Sequence, residues 1–402
     1  MISVYPRKQL DFSYSDIFKA LLMSFNFKRI KENPIKKIEE LWPKDNAIVG
    51  LSVRTILDTL LTLKNFTPGS EVLMSAINIP DMVDIIESHG LKIISIDIDL
   101  ETLQCNEKEV NNAITNKTVM VLIAHLFGSR MEMEPIYNAL KKHPHIFIFE
   151  DCAQAFEGVN GYIGGHKTDL SVFSFGSIKS ITALGGAIGF TKNFTLKLEM
   201  IKLLSKNKKN TDNEFRVKIF KYIGLKLLSN ELVYGIFILV CRFLKIDYDQ
   251  LIISSVRMVK GESLFYTIRK RLPLSQIRYL LYRLKSTKND HFKKQIDTGN
   301  YVHSKLKKSM VHGLRNKTKK YWLFPIQTKH RRSIVSSLLK SGFDATFSST
   351  QLITIKSTDR VYKIPRNCKK FMSEIVYLPV YGTIPKHRLD VLVSVLNGRA
   401  TP

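Results

Sequence analysis

The stretch IFIFEDCAQAFEGVNGYIGGHKTDLSVFSFGSIKSITALGGAIGFT, residues 146–191, orders three side chains that could share one reaction. An apolar run ends in Glu150-Asp151, which places a carboxylate at the carboxyl end of a strand. A second run, Leu170 to Phe175, contains Ser174, and Lys179 follows in a short turn. The small-residue hinge Ala183-Leu184-Gly185-Gly186-Ala187 then opens a further strand. A lysine amine can form an imine with a carbonyl and later move the proton on a substrate's alpha carbon. A carboxylate facing a pyridine nitrogen holds that ring protonated, so that it accepts electrons. A phosphate asks for hydroxyl and backbone N–H donors, preferably at a helix N-terminus. Lys179, Asp151 and Ser174 can fill these three roles, which together are those of a pyridoxal 5'-phosphate (PLP) site. Singly each has an ordinary reading: a turn-capping Asp, a solvated Lys and a strand Ser. The ordered combination is what carries information.

The elements around these residues set their positions. Glu71 to Met74, Lys92 to Ile96, Thr118 to Ile123 and His145 to Phe149 are short, Val-, Ile- and Phe-rich, and apolar on both faces, as buried parallel strands are. Between them lie amphipathic stretches such as Pro80 to His89 and Met133 to Lys142. The alternation predicts an α/β fold, a mostly parallel sheet flanked by helices, with ligands at the carboxyl ends of strands. After Lys285 a smaller α+β unit is expected, with strands at Tyr321 to Ile326 and Ile375 to Pro379 and helices at Arg332 to Ser341 and Lys386 to Leu396. The domain reading is therefore 1–285 and 286–402.

Residues 194–260 break this rhythm and predict a helical insertion. Phe215 to Leu228 mixes Phe, Ile and Leu with Arg216, Lys218, Lys221 and Lys226; LVYGIFILVC, Leu232 to Cys241, follows. That run is about half the ~20 residues a spanning helix needs. It is either a helix packed within the protein's own dimer or one lying on an anionic membrane surface.

At 402 residues and 44% hydrophobic content, the chain can bury a large core. Its 62 Lys and Arg against 35 Asp and Glu give a net charge of +27. Nucleic acid, an anionic membrane and acidic small molecules all fit that charge; no interleaving of aromatic and basic residues marks a nucleic-acid module, so no nucleic acid is expected. The four cysteines, at 105, 152, 241 and 368, have no zinc, redox or disulfide-framework spacing, and no metal is expected. The opening MISVYPRKQLDFSYSD lacks a signal-peptide pattern, which predicts a cytoplasmic setting, peripheral to the membrane if the insertion binds lipid.

EDCAQA, FSFGSIK and GGA, in this order and spacing, resemble the DegT/StrS-type family of PLP-dependent sugar aminotransferases, of fold type I. GSEVLMSAINIPDMVDII, VLIAHLFG and LPVYGTIPKHRLDVLVSVL resemble further parts of its pattern. The resemblance implies Lys179 as the Schiff-base lysine, Asp151 as partner of the ring nitrogen, Gln154 near the ring oxygen and Ser174 on the phosphate. Ser52, Val53 and Arg54 stand where the family starts a helix that cups the phosphate. Ser52 can cap that helix and Arg54 can add a charged donor, or the two are an ordinary cap and a surface Arg. The resemblance also implies a homodimer, an amino donor such as glutamate, and a nucleotide-linked or lipid-linked keto-sugar as acceptor.

Three departures stand out. No aromatic stands at Ile77-Asn78-Ile79, where the family stacks a ring on the cofactor, leaving Ile79 or His125 to cover it. Arg269, Lys270 and Arg271 occupy the segment where the family sends an Asn to the partner's phosphate. The long insertion is foreign to many sugar-modifying members. Retention of Lys179 speaks against the related dehydratases, which carry histidine there. The rival readings are a PLP-dependent condensing enzyme and a degenerate regulatory or peripheral membrane-binding protein. His125 reads as a satisfied core histidine, and Cys152 as a small buried residue.

Overall fold

The computed structural model describes residues 2–25, 32–256, 263–287, 290–347, 350–358 and 364–398. Its centre is a seven-stranded sheet in the order Ala47–Gly50, Ala187–Phe190, Leu170–Ser174, Phe147–Asp151, Thr118–Ala124, Glu71–Ser75, Lys92–Ile96. The last five pair in parallel, and Ala187–Phe190 runs antiparallel to both of its neighbours. Continuous apolar runs form these strands because helices cover both faces: Leu73, Val121 and Ile148 point to one core, Met74, Leu122 and Phe149 to the other. Two strand boundaries move from their sequence positions. The expected His145–Phe149 strand is Phe147–Asp151, since His143 N-terminal to it closes a turn onto Ile146. The expected Tyr321–Ile326 strand is Phe324–Gln327, because Tyr321 to Leu323 pair instead with the loop after Ala124.

The parallel register brings Ala124, Asp151 and Val172 level, so the carboxyl ends of three strands form one edge. The C-terminal elements pack beside that edge. Phe324–Gln327 pairs antiparallel with Ile375–Leu378, and the helices Lys293–Lys305, Arg331–Lys340 and Lys386–Leu396 enclose a core of Ile326, Leu338, Val376 and Leu392. Tyr5 belongs to this core and bridges Phe343, so the N-terminus is tied to the C-terminal elements.

The predicted insertion is helical: Phe194–Ser205, Asp212–Leu227, Glu231–Phe243 and Tyr248–Val256, with residues 257–260 outside the described ones. Leu196, Met200 and Leu204 of the first helix are ordinary members of the sheet's core. Phe215, Ile219 and Tyr222 of the second join the core that holds Phe173 and Phe175. The third buries Tyr234 and Ile238 against Val4.

Candidate functional site

Along the Phe147–Asp151 strand successive side chains alternate faces, which separates two buried carboxylates. Asp151 accepts Ala153 N–H at 2.9 Å, and among the described residues it forms no salt bridge. Burial pushes its carboxyl up, against pulls downward from the Ala153 N–H, Lys179 and His125. Lys179 is held by the turn after Leu170–Ser174, its N–H donating to Gly176 O at 3.0 Å. Desolvation lowers its ammonium to about 8; Asp151 opposes that shift and Arg54 adds to it. Lys179 and Asp151 therefore sit within electrostatic reach of each other at the sheet's carboxyl edge.

The other expected residues are placed as follows. Ser52 caps the Val53–Lys64 helix, its Oγ accepting Thr55 N–H at 3.2 Å, with Val53 buried as the first helical residue. Ser174 Oγ accepts Gly176 N–H at 3.3 Å, so it faces the turn that carries Lys179. Gln154 Oε1 accepts Phe127 N–H at 2.7 Å and thereby pins the loop after Ala124. Arg54 is no free phosphate donor here: its guanidinium pairs with Asp81 in the first turn of the Pro80–Ser88 helix. Arg269 also has a partner in its own chain, Asp58, through bonds of 2.9 and 3.0 Å. Lys270 lies 3.8 Å from Glu214, and Arg271 donates to Asn207 O.

Residues 36–232 match the model of the DegT/DnrJ/EryC1/StrS aminotransferase family. By that match residues 36–232, just under half of the chain, are identified with the family. Over 171 residues it is 33% identical to a GDP-perosamine synthase of Escherichia coli O157:H7, a match covering 41% of this chain and 47% of that one. The chain thus spans between about a third and a half of the length of the curated relatives it matches. The fold extends further than the sequence likeness. A DegT DnrJ EryC1 StrS aminotransferase from Brucella abortus superposes with a TM-score of 0.67 at 15% identity, covering 96% of this chain and 95% of the other. The E. coli GDP-4-keto-6-deoxy-D-mannose-3-dehydratase, solved with bound hydrated PLP, gives 0.66 at 14% identity, covering 98% and 100%. The fold is that of PLP-dependent aminotransferase structures.

Within the family's frame the residues present fit PLP. Asp151 is a buried carboxylate in want of a cation, which a protonated ring nitrogen supplies. The N–H groups of Val53 and Arg54, in the first turn of their helix, have no intrahelical acceptor and suit a phosphate. Asn78, at the strand end that lacks the family's aromatic, keeps a buried Nδ2 without a partner among the described residues.

Two features were not read from the sequence. Trp322 places its ring 4.0 Å from Lys179 Nζ, and its indole N–H donates to Ile178 O at 2.9 Å. An aromatic does cover the lysine, then, but it arrives from the C-terminal elements, and only pairing between distant segments could reveal it. The same region holds a cavity of about 240 Å³ lined by Lys179, Trp322, Lys8, Asp11, His291 and Gln295, among others. Asp151, Gln154, Ser174, Ser52, Val53 and Arg54 do not line it, so Lys179 joins two groups of residues. Burial lowers the Lys8 ammonium to about 8, opposed by Asp11 and assisted by Lys179.

The second feature is Glu150, fully buried on the face opposite Asp151. His125 Nε2 at 2.7 Å and the Tyr162 hydroxyl meet its Oε1; Gly165 N–H at 2.9 Å and Thr168 Oγ1 at 2.6 Å meet its Oε2. His125 Nδ1 accepts Met131 N–H at 2.9 Å. Both ring nitrogens are thus engaged, which makes His125 a satisfied buried histidine. His125, Glu150 and Cys152 offer donors within 4.8 Å of one another, but this hydrogen bonding already occupies them.

The loop these bonds hold reaches Trp322. Lys320 N–H donates to Gly128 O at 2.9 Å and Leu323 N–H to Phe127 O at 3.2 Å. Gly128 adopts φ +86°, and a Cβ there would lie 2.5 Å from Trp322 N. Gly128→Ala should therefore push the Trp322 segment off Lys179 and cost about 1–3 kcal/mol in backbone strain. Trp322 is one of only two tryptophans, so its fluorescence reports the shift. An unchanged emission spectrum and melting temperature would refute it.

Proposed function

We propose that this chain is a PLP-dependent aminotransferase that moves an amino group from a donor such as glutamate to a keto-sugar carried on a nucleotide. The observation that carries the reading is the pairing of a buried Asp151 with a lysine amine lowered to about 8. When bound, PLP supplies a ring that draws off negative charge developing on the substrate carbon. Asp151 keeps the ring nitrogen protonated by offering it a desolvated carboxylate. Lys179, partly deprotonated near neutral pH, acts as the nucleophile that takes the cofactor and afterwards as the base that moves a proton at the substrate carbon. Its burial is what makes the neutral amine available. Ser52, the Val53 and Arg54 N–H groups and Ser174 hold the phosphate, and Gln154 sets the loop beside the ring. The cavity holding Lys8, His291 and Gln295 receives donor and acceptor, its cationic residues suiting carboxylates and diphosphates. The C-terminal residues from 286 act as a smaller domain that brings Trp322 over the site. In the homodimer that fold-type-I enzymes form, the neighbouring subunit would complete the site.

The test is difference spectroscopy on the PLP-loaded protein while glutamate is added without acceptor. Bleaching of the visible band, with 2-oxoglutarate formed one for one with the lost band, is the expected result. A band indifferent to glutamate and to other amino donors, paired with amino-acid-dependent turnover of an acyl thioester, would replace this reading with a condensing enzyme.

A further inference from the structure

We propose that the Glu231–Phe243 helix, with the helices next to it, docks the enzyme on an anionic lipid surface. The proposal goes beyond the transferase reading and does not depend on it. One side of this helix is used inside the protein: Tyr234, Gly235, Ile238 and Cys241 are buried. Its other side is exposed and still apolar, presenting Leu232, Val233, Ile236, Leu239, Val240 and Phe243, the last 86% exposed. A helix that is apolar all round belongs in an apolar environment on both sides. Two further helices of the N-terminal half and the insertion, packed on each other, also expose apolar residues. The Asp212–Leu227 helix exposes Val217, Phe220 and Leu227, and the Tyr14–Ser24 helix exposes Tyr14, Phe18 and Leu22 at four-residue spacing. Arg216 joins these two helices, donating to Ser24 O at 2.9 Å.

Two occupants compete for such a face, a second copy of the chain and a membrane. Charge decides between them. Lys221, Arg242 and Lys245 are exposed among the apolar residues, and among the described residues no salt bridge neutralises them. Glu231 sits at the opposite end of its helix from Arg242, and the Asp247 carboxylate is occupied by Asp249 and Gln250 N–H groups. A two-fold contact would set this basic rim against itself in a chain of net charge +27. An anionic leaflet complements it, at about 1 kcal/mol per basic residue near the surface. Depth is limited as well. No single helix among the described residues is long and apolar enough to cross a membrane, and the Asp212–Leu227 and Glu231–Phe243 pair is bent by 93°. The helices therefore lie in the interface. Exposed Phe beside Lys and Arg is the composition of such a layer.

The N-terminal segment connects this face to the chemistry. Val4 packs under the Glu231–Phe243 helix, Lys8 and Asp11 line the Lys179 cavity, and the Tyr14–Ser24 helix follows. The test is flotation of the PLP-loaded full chain with phosphatidylglycerol-containing and pure phosphatidylcholine vesicles. The comparison is between wild type and the double variant Ile236→Glu, Phe243→Glu. Wild type should float with the anionic vesicles only, and the variant should bind roughly 100-fold more weakly with an unchanged melting temperature. Arg242→Glu with Lys245→Glu should weaken binding and flatten its salt dependence. Equal flotation of wild type and the double variant, or none by wild type, would overturn the proposal. So would a double variant that turns a dimer into a monomer while vesicle binding stays the same, since the face would then join two copies.

Discussion

Lys179→Ala should abolish the visible absorbance band that PLP gives with the wild-type protein and lower turnover by about 10⁴-fold or more. The magnitude follows from the two tasks that one amine would perform, since a positioned acid–base group alone contributes about 10²–10⁴-fold. The loss should be local, because Nζ rests on Trp322 at a cavity wall and Ala leaves the turn's Gly176 bond intact. A variant with wild-type melting temperature and no band fits the proposed role; a variant that keeps the band would end it. Labelling by pyridoxal phosphate and borohydride gives the pH dependence independently of turnover. The reactive species is the neutral amine, so labelling of Lys179 should rise as pH passes about 8, far below an ordinary lysine. Asp151 holds the ammonium up, so Asp151→Asn should shift the labelling curve to lower pH. Arg54 pushes it down, so Arg54→Gln should shift the curve the other way. If both variants moved it in one direction, the electrostatic account of Lys179 would fail.

Much of the sheet was legible because burial on both faces leaves a plain mark, an unbroken apolar run bounded by turn residues. The site residues on those strand ends were legible for the same reason: Asp151, Ser174 and Lys179 follow runs whose ends are easy to place. What the sequence withheld is the pairing of distant segments. The sequence leaves Arg54 open between a charged donor and a surface Arg because Asp81, on another helix start, is remote in the chain. No aromatic stands at Ile77 to Ile79, yet Trp322 reaches Lys179 through a loop-to-loop pairing that leaves no periodic signal. In the sequence Glu150 is only the neighbour of Asp151. Its donors come from the tail of one strand and an irregular loop, Tyr162 to Thr168, and so no spacing rule marks them.

Glu150→Gln should destabilise the protein by about 3 kcal/mol near neutral pH. Five donors converge on this carboxylate: His125, the Tyr162 hydroxyl and the Cys152 thiol at Oε1, and Gly165 N–H and the Thr168 hydroxyl at Oε2. Replacing either oxygen by an NH₂ group sets it against an obligate donor, His125 Nε2 at Oε1 or Gly165 N–H at Oε2, in a site with no water exposure. The Tyr162 or Thr168 hydroxyl must then turn round to accept. Burial raises the carboxyl's pKa, but the bonds from His125, Thr168 and Tyr162 outweigh burial and bring it down to about 2, from an ordinary 4.5. The sign follows from linkage. A group depressed on folding contributes its stability above its unfolded value and loses it as pH falls through the folded one. The gap between wild type and Glu150→Gln, measured by denaturant melts, should therefore stay level from neutral pH to about 4.5 and close below that. A gap that widens on acidification would contradict an ionised Glu150. The effect should also reach the site, because His125 fixes Met131 and hence the loop whose Phe127 and Gly128 carbonyls hold the Trp322 segment. In the Glu150→Gln variant, Trp322 fluorescence should therefore lose its folded signature at lower denaturant than the remaining sheet, as an edge released before the core.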